Sequence, residues 1–328
     1  MTTLPQQAVR YVDEWLGRGW TAEALAGDAS VRAYYRIRSA GDETFIVAWY
    51  PDEVRDQLGQ FLGAYEIVVS HAPVPEVIQH GPGVMLQRDA GDRTLFDVLH
   101  EERAEGLRLY RAAIDLLAGF QQAGVCNINP PFTAAFFFQE LEMAREFYAE
   151  KLMGMDGAPL GPFLQKIAEV VSQHPYTLCH RDFHGQNIHV IGESLYLIDY
   201  QDLRMGPDTY DLASLLRDRG VARILGDATE LELLENYRNA TKRDEGVRRR
   251  YFEALLQRSI KILGTFARQP IDRGRLHYLE FIPATLESIR RCIDELPHWS
   301  ELQKVFPLEF SLDAARERAE ELNRGATG

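Results

Sequence analysis

Residues 178–202, LCHRDFHGQNIHVIGESLYLIDYQD, constrain this chain more than any other stretch. His180, Asp182 and Asn187 fall within eight residues of one another. Two apolar runs, NIHVI and SLYLIDY, follow; they are joined by Gly192, Glu193 and Ser194 and read as a β-hairpin. Asp199 stands at the end of the returning strand. Phosphoryl transfer from ATP needs a carboxylate to orient the attacking hydroxyl and take its proton, hard oxygen ligands to hold Mg²⁺ across the phosphates, and a rigid support that keeps both in register. Asp182 suits the first task. Asn187 offers an amide oxygen from the same loop, and Asp199 a charged ligand from the opposite side. A surface hairpin with a few solvated polar residues is the plain alternative. The compound spacing favours the chemical reading.

The rest of the chain supplies two unequal parts. Residues 6–17 carry helical spacing, with Val9, Val12 and Leu16 on one side and Gly17 as a stop. Alternation through Tyr35 and Ile37 and the β-branched run TFIVAW, residues 44–49, predict two strands joined at Gly41 and Asp42. A helix over 54–70, a Pro-bracketed segment over 74–79 and a strand near 84–86 complete a small α+β lobe. The polar, Gly-containing stretch 89–92 suits a hinge. Helical patterns then dominate at 93–100, 106–123, 133–153 and 162–173, and from 211 onward at 229–241, 245–268, 275–295 and 311–323. The expectation is an N-lobe over 1–88, carrying a small mixed β-sheet, and a mainly helical C-lobe over 89–328.

Composition narrows the partners. The net charge of −13, from 36 basic and 49 acidic side chains, argues against nucleic acid, since no Lys/Arg-rich run offers a phosphate stripe. Arg248, Arg249 and Arg250 form the one short basic cluster and read as a solvated helix face. No run of about 18 apolar residues predicts a membrane span, and the N-terminus does not read as a signal peptide. Cys126, Cys179 and Cys292 are far apart and lack metal-type spacing, so they read as small core residues in a reducing cytoplasm. A monomer is expected.

Residues 180–187 and Asp199 resemble the catalytic and metal-binding loops of the aminoglycoside phosphotransferase and choline kinase superfamily, which shares the two-lobed protein-kinase-like fold. The resemblance implies that His180 scaffolds the catalytic loop, that Asp182 is the base, and that Asn187 and Asp199 hold Mg²⁺. It also implies that Asp211, in GPDTYDLASLL, accepts backbone N–H groups from that loop; a plain helix N-cap is its compatible alternative. A narrower resemblance, to anomeric kinases of N-acetylmuramate and N-acetylglucosamine in cell-wall recycling, rests on four stretches. These are Gly27, Asp28, Ala29 and Ser30 with Arg32, Tyr35 and Arg36; DAGDRTLFDVL from Asp89; the Tyr200-Gln201-Asp202 extension; and QRSIKILGTFAR, residues 257–268.

One departure stands out. Most relatives carry a Lys on the third strand to hold the α- and β-phosphates, and TFIVAWYP has none; the anomeric-kinase group it resembles lacks that Lys as well. Arg32 or Arg36 is the economical replacement, with Ser30 and the backbone around Gly27 capping phosphates and Asp89 nearby; Arg36 facing solvent is the alternative. Asp202, Arg204 and, more weakly, Glu140 and Arg145 are expected on the substrate side. His184 and His189 read as packing or solvated groups, and Phe136, Phe137 and Phe138 as core. Amino sugar is the expected acceptor. An aminoglycoside, choline or homoserine, or a nucleotide-binding pseudokinase lacking turnover, are the competing readings.

Overall fold

The computed structural model describes residues 4–25, 31–218 and 220–326. Helix α1, Gln6–Leu16, ends at Gly17 with φ 74°, as its stop residue predicts. Strands β1 (Thr21–Ala24), β2 (Ala33–Arg38) and β3 (Thr44–Trp49) follow, then helix α2 (Asp56–Val68) and strands β4 (Val77–Gly81) and β5 (Val84–Arg88). They form one sheet in the order β1-β2-β3-β5-β4. Every pairing is antiparallel, so the lobe mixes helix and strand while its sheet does not mix directions. The four-residue β1, exposed along its length, carries no sequence signal of its own and is recruited by pairing with β2.

Alternation divides the sheet's two faces. Tyr35, Ile37, Phe45, Val47, Val84 and Leu86 pack on Ala8 and Val12 of α1 as a small separate core. The intervening positions point the other way. Ala48 and Met85 join the large core with Leu58, Phe61 and Ala64 of α2. Arg32, Tyr34 and Arg36 share that second face by the same period of two, which sets them on the side of α2 and the larger lobe.

That lobe comprises α3 (Leu95–Glu101), α4 (Arg103–Phe120), α5 (Ala134–Met143), which passes into a π-helical stretch (Ala144–Leu152), and α6 (Gly161–Ser172). Next come β6 (Tyr176–Cys179), β7 (Ile188–Ile191), β8 (Ser194–Leu197), β9 (Arg204–Pro207) and α7 (Tyr210–Arg217). The chain closes with α8 (Val221–Thr241), α9 (Val247–Arg273), α10 (Ile282–Glu295) and α11 (Leu312–Ala326). Thr94 caps α3 through a reciprocal box with Asp97, a choice legible in DRTLFD. The 27-residue α9 runs through the centre of this lobe and buries Tyr251, Leu255, Leu263 and Ala267. At Gly264 a Cβ would lie 2.5 Å from the Ala144 nitrogen, so only glycine lets α9 approach the start of the π-helical stretch this closely.

One expectation about α9 needs correcting. Arg248 and Arg249 are solvated, but Arg250 is buried and grips the fully buried Asp208 through Nε (3.1 Å) and a terminal nitrogen (2.9 Å). At 100° per residue, position 250 already turns toward the core. A guanidinium there is tolerated because a carboxylate meets it.

Candidate active site

Strand β6 pairs with β9, Cys179 opposite Arg204, and the chain leaves β6 directly into the loop 180–187. Asp211, fully buried in the first turn of α7, accepts the backbone N–H of His180 at 2.6 Å and of Arg181 at 2.9 Å. This is the contact the resemblance implied. Arg181 has φ 80°, a left-handed conformation that a side chain adopts at a cost, and the buried carboxylate holds it there. The turn re-aims the chain so that the next residue, Asp182, is exposed.

The loop is tied to the hairpin at several points. The ring Nε2 of buried His180 lies 2.9 Å from the Ile198 carbonyl, and the Ile198 N–H donates to the Asn187 carbonyl at 3.0 Å. His180 therefore positions the loop from within and does not face solvent. Asn187 Nδ2 donates to the Asp182 carbonyl at 2.9 Å. Its Oδ1 receives no hydrogen bond from the described residues. Asp199, one residue beyond Ile198, is exposed and also left-handed at φ 62°. Its Oδ1 accepts from Gln201 Nε2 at 2.8 Å. Asp182, Asn187 and Asp199 are thus the outward groups of one hydrogen-bonded unit.

Contacts with the smaller lobe hold that unit in place, among them the Leu197 N–H donating to the Pro73 carbonyl at 2.9 Å. Buried Tyr200 packs its ring 5.1 Å from Phe61 of α2, and Gln60 Nε2 donates to the Gln201 carbonyl at 3.3 Å. The turn bearing Asp199 is therefore seated on α2.

Behind Asp182 stand two cations from α9 that the sequence reading did not single out. Buried Arg258 donates to the Arg181 carbonyl (3.0 Å) and Ser214 Oγ (2.8 Å), and lies over the Tyr210 ring. Lys261, one turn on, sits 3.5 Å from Glu140 Oε1, whose Oε2 accepts from Gln257 Nε2 at 3.0 Å. The protein packed around Asp182 works to raise its carboxyl, but Lys261 and Arg258 outweigh this and hold it below the ordinary carboxylate value. The available signal was polar residues at 257, 258 and 261 within the largely apolar run ALLQRSIKILG, residues 254–264.

The remaining expected residues divide. Arg36 does not face solvent. It binds Asp89 (2.7 Å through Nε) and Asp92 (2.7 Å through a terminal nitrogen), clamping β2 to the hinge. Asp89 also accepts the Gly91 N–H at 2.9 Å. Arg32 sits elsewhere: burial raises the Tyr34 phenol, the Arg32 charge opposes this, and Asp199 adds to it. Arg32 and Asp199 thus converge on Tyr34. Asp202 lies 3.9 Å from an Arg181 terminal nitrogen, and Arg204 covers Phe136 (4.5 Å) and Phe132 (5.1 Å). Phe136 is therefore more than core filling. Gly206 permits this, since a Cβ there would strike the Phe132 ring at 2.5 Å. Glu140 is engaged by Lys261 and Gln257, while Arg145 is held by Glu142 and Glu150 of its own helical run. His189 Nδ1 meets the Gly91 carbonyl at 2.7 Å, a packing role. Gly27, Asp28, Ala29 and Ser30 lie outside the described residues.

Asn187 and Asp199 supply two hard oxygen donors at one hairpin mouth, a set that fits magnesium shared with phosphates. Among the described residues, no group of three His, Cys, Asp or Glu side chains could hold a metal ion. Nor is any helix long and apolar enough to cross a membrane.

Residues 21–252 match the phosphotransferase enzyme family. The chain is 27% identical over 302 residues to an N-acetylmuramate/N-acetylglucosamine kinase of Pseudomonas putida, covering 86% of each protein. It is 26% identical over 312 residues to the kinase of the same name from Pseudomonas aeruginosa, covering 90% of this chain and 91% of that one. Among solved structures, it resembles an amicoumacin kinase in complex with AMP-PNP and Ca²⁺, with a TM-score of 0.64 at 13% identity over 89% of this chain and 94% of the other. It also resembles a choline/ethanolamine kinase family protein from Mesorhizobium loti, with a TM-score of 0.58 at 15% identity, covering 90% and 92%. These likenesses establish the two-lobed kinase fold.

Proposed function

The chain belongs to the phosphotransferase enzyme family and is a kinase, and we propose that it transfers the γ-phosphoryl group of ATP to the anomeric C1 hydroxyl of N-acetylmuramate or N-acetylglucosamine, a step of cell-wall recycling carried out by a cytoplasmic monomer. The observation that carries this reading is the single hydrogen-bonded unit presenting Asp182, Asn187 and Asp199. The names of the two Pseudomonas relatives support the acceptor. The three cysteines are buried and unpaired, in keeping with a reducing compartment.

In this reading the nucleotide lies between an N-lobe ending near residue 88 and the C-lobe beyond it. Asn187 Oδ1 and the Asp199 carboxylate would hold magnesium, which when bound neutralises charge on the phosphates. Asp182 orients the acceptor hydroxyl and takes its proton as the new O–P bond forms and the bond to the ADP oxygen breaks. An anomeric hydroxyl is more acidic than an ordinary alcohol, so a carboxylate held ionised by Lys261 and Arg258 suffices. His180 and Asp211 keep the loop in place. Of the two arginines considered for the missing strand lysine, Arg32 is the better placed, because it bears on Tyr34 together with Asp199. Asp202, Arg204 and Glu140 border the acceptor.

The test is a coupled ADP-release assay with each free sugar, its methyl glycoside and its C6-modified analogue. Turnover of the free and C6-modified sugars but not the glycoside is expected. A methyl glycoside phosphorylated as well as the free sugar would overturn the C1 assignment.

A further inference from the structure

Two guanidinium groups at the strand end that feeds the Asp182 loop lack a close buried counter-charge among the described residues. Arg204 makes no hydrogen bond or ion pair with the described residues, and its buried Nε is unpartnered. Its plane rests on Phe136 and Phe132, which fixes the fork but supplies no counter-charge. Arg181, which precedes Asp182, also has a buried unpartnered Nε, and its nearest carboxylate, Asp202, is half exposed at 3.9 Å. The two arginines are neighbours: burial and then the Arg181 charge lower the Arg204 guanidinium's hold on its proton, against weaker opposing pulls from Glu140 and Asp202, neither of which pairs with it. Like charges held together in a half-buried site are stabilised by an anion that joins them. The β6–β9 register, with Cys179 opposite Arg204, sets both at the strand end that feeds the Asp182 loop.

We propose that Arg204 and Arg181 form a carboxylate clamp for the acceptor, so that this kinase prefers an N-acylated amino sugar bearing an acid substituent to its neutral counterpart. The inference rests on the amino-sugar kinase reading above and assigns the determinant within it. The planar fork of Arg204 accepts a carboxylate side-on, while its stacked face remains committed to the two phenylalanines. A polycationic acceptor meets repulsion at the same place.

Steady-state kinetics of wild type, Arg204→Met and Arg204→Lys, with N-acetylmuramate and N-acetylglucosamine as acceptors, test the clamp. Arg204→Met should raise KM for the acidic sugar by about 10–100-fold, the range expected for losing a charge-assisted pair. Arg204 borders both sugars, so the readout is the ratio of kcat/KM for the acidic over the neutral sugar, which should fall by about that factor while KM for ATP stays near wild type. Arg204→Lys, retaining charge but not the fork, should fall between in that ratio. An equal loss on both sugars, or a raised KM for ATP, would assign the pair to the nucleotide phosphates or to structure and overturn the clamp. Unchanged kinetics on both sugars would overturn it too. A wild type that phosphorylates neither sugar is a separate outcome: it removes the amino-sugar reading itself, and the clamp with it.

Discussion

Asp211 Oδ1 accepts the Arg181 backbone N–H at 2.9 Å, and Arg181 is held in a left-handed conformation at φ 80°. The strain and the restraint are adjacent to the proposed base, so the position of Asp182 depends on a carboxylate that never meets solvent. Asp211→Ala leaves the N–H groups of His180 and Arg181 buried without an acceptor. Each should cost about 1–3 kcal/mol. Chemical denaturation and kcat should fall together; a variant with wild-type values for both would show that the loop is held by other contacts.

Asp182→Asn should behave differently. Its side chain is exposed and caps nothing, so the fold and nucleotide binding should persist. Turnover should drop by roughly 10²–10⁴-fold, the usual contribution of a positioned base. Retention of near wild-type kcat would remove Asp182 from that role.

The two oxygen donors of the hairpin mouth should rank unequally. Asp199→Ala removes charge from the metal, and Asn187→Ala removes a dipole. Calorimetric titration with ATP and Mg²⁺ should show the larger loss for Asp199→Ala. Asn187→Ala also breaks the bond to the Asp182 carbonyl, so it should lower kcat beyond its effect on binding. The reverse ranking of affinities would mean the ligands are misassigned.

Lys261→Met tests the electrostatics from a distance. The low-dielectric protein around its base favours the protonated Asp182 carboxyl, whereas Lys261 and Arg258 favour the ionised form and prevail. Removing one cation therefore raises the pKa, and the acid limb of the kcat/KM profile should move to higher pH. A profile superimposable on wild type would show that Arg258 suffices.

Gly264→Ala addresses packing. The added methyl would lie 2.5 Å from the Ala144 nitrogen, a backbone atom that cannot rotate away. A loss of about 1–3 kcal/mol is expected by urea denaturation. An unchanged midpoint would show that α9 can slide without cost.

The grouping proposed as the reaction centre was legible in the sequence because its parts are close along the chain. His180, Asp182, Asn187 and Asp199 are carried by one loop and one hairpin, and strand alternation and turn residues specify such units locally. The same holds for α1, for the β2–β3 hairpin at Asp42 and for the helical order of the larger lobe. Tertiary structure decided which charges are satisfied. Arg36 faces neither solvent nor an open site because the hinge folds back to bring Asp89 and Asp92 to it. Arg250 is buried because Asp208 arrives from another element. Lys261 and Arg258 act on Asp182 only because α9 crosses behind its loop. Strand β9, whose RMGP carries Gly and Pro, exists through pairing with β6 and thereby sets Arg204 beside Arg181. Periodicity records which face of an element is buried, but an ion pair leaves no period, since its partners can lie anywhere on the chain.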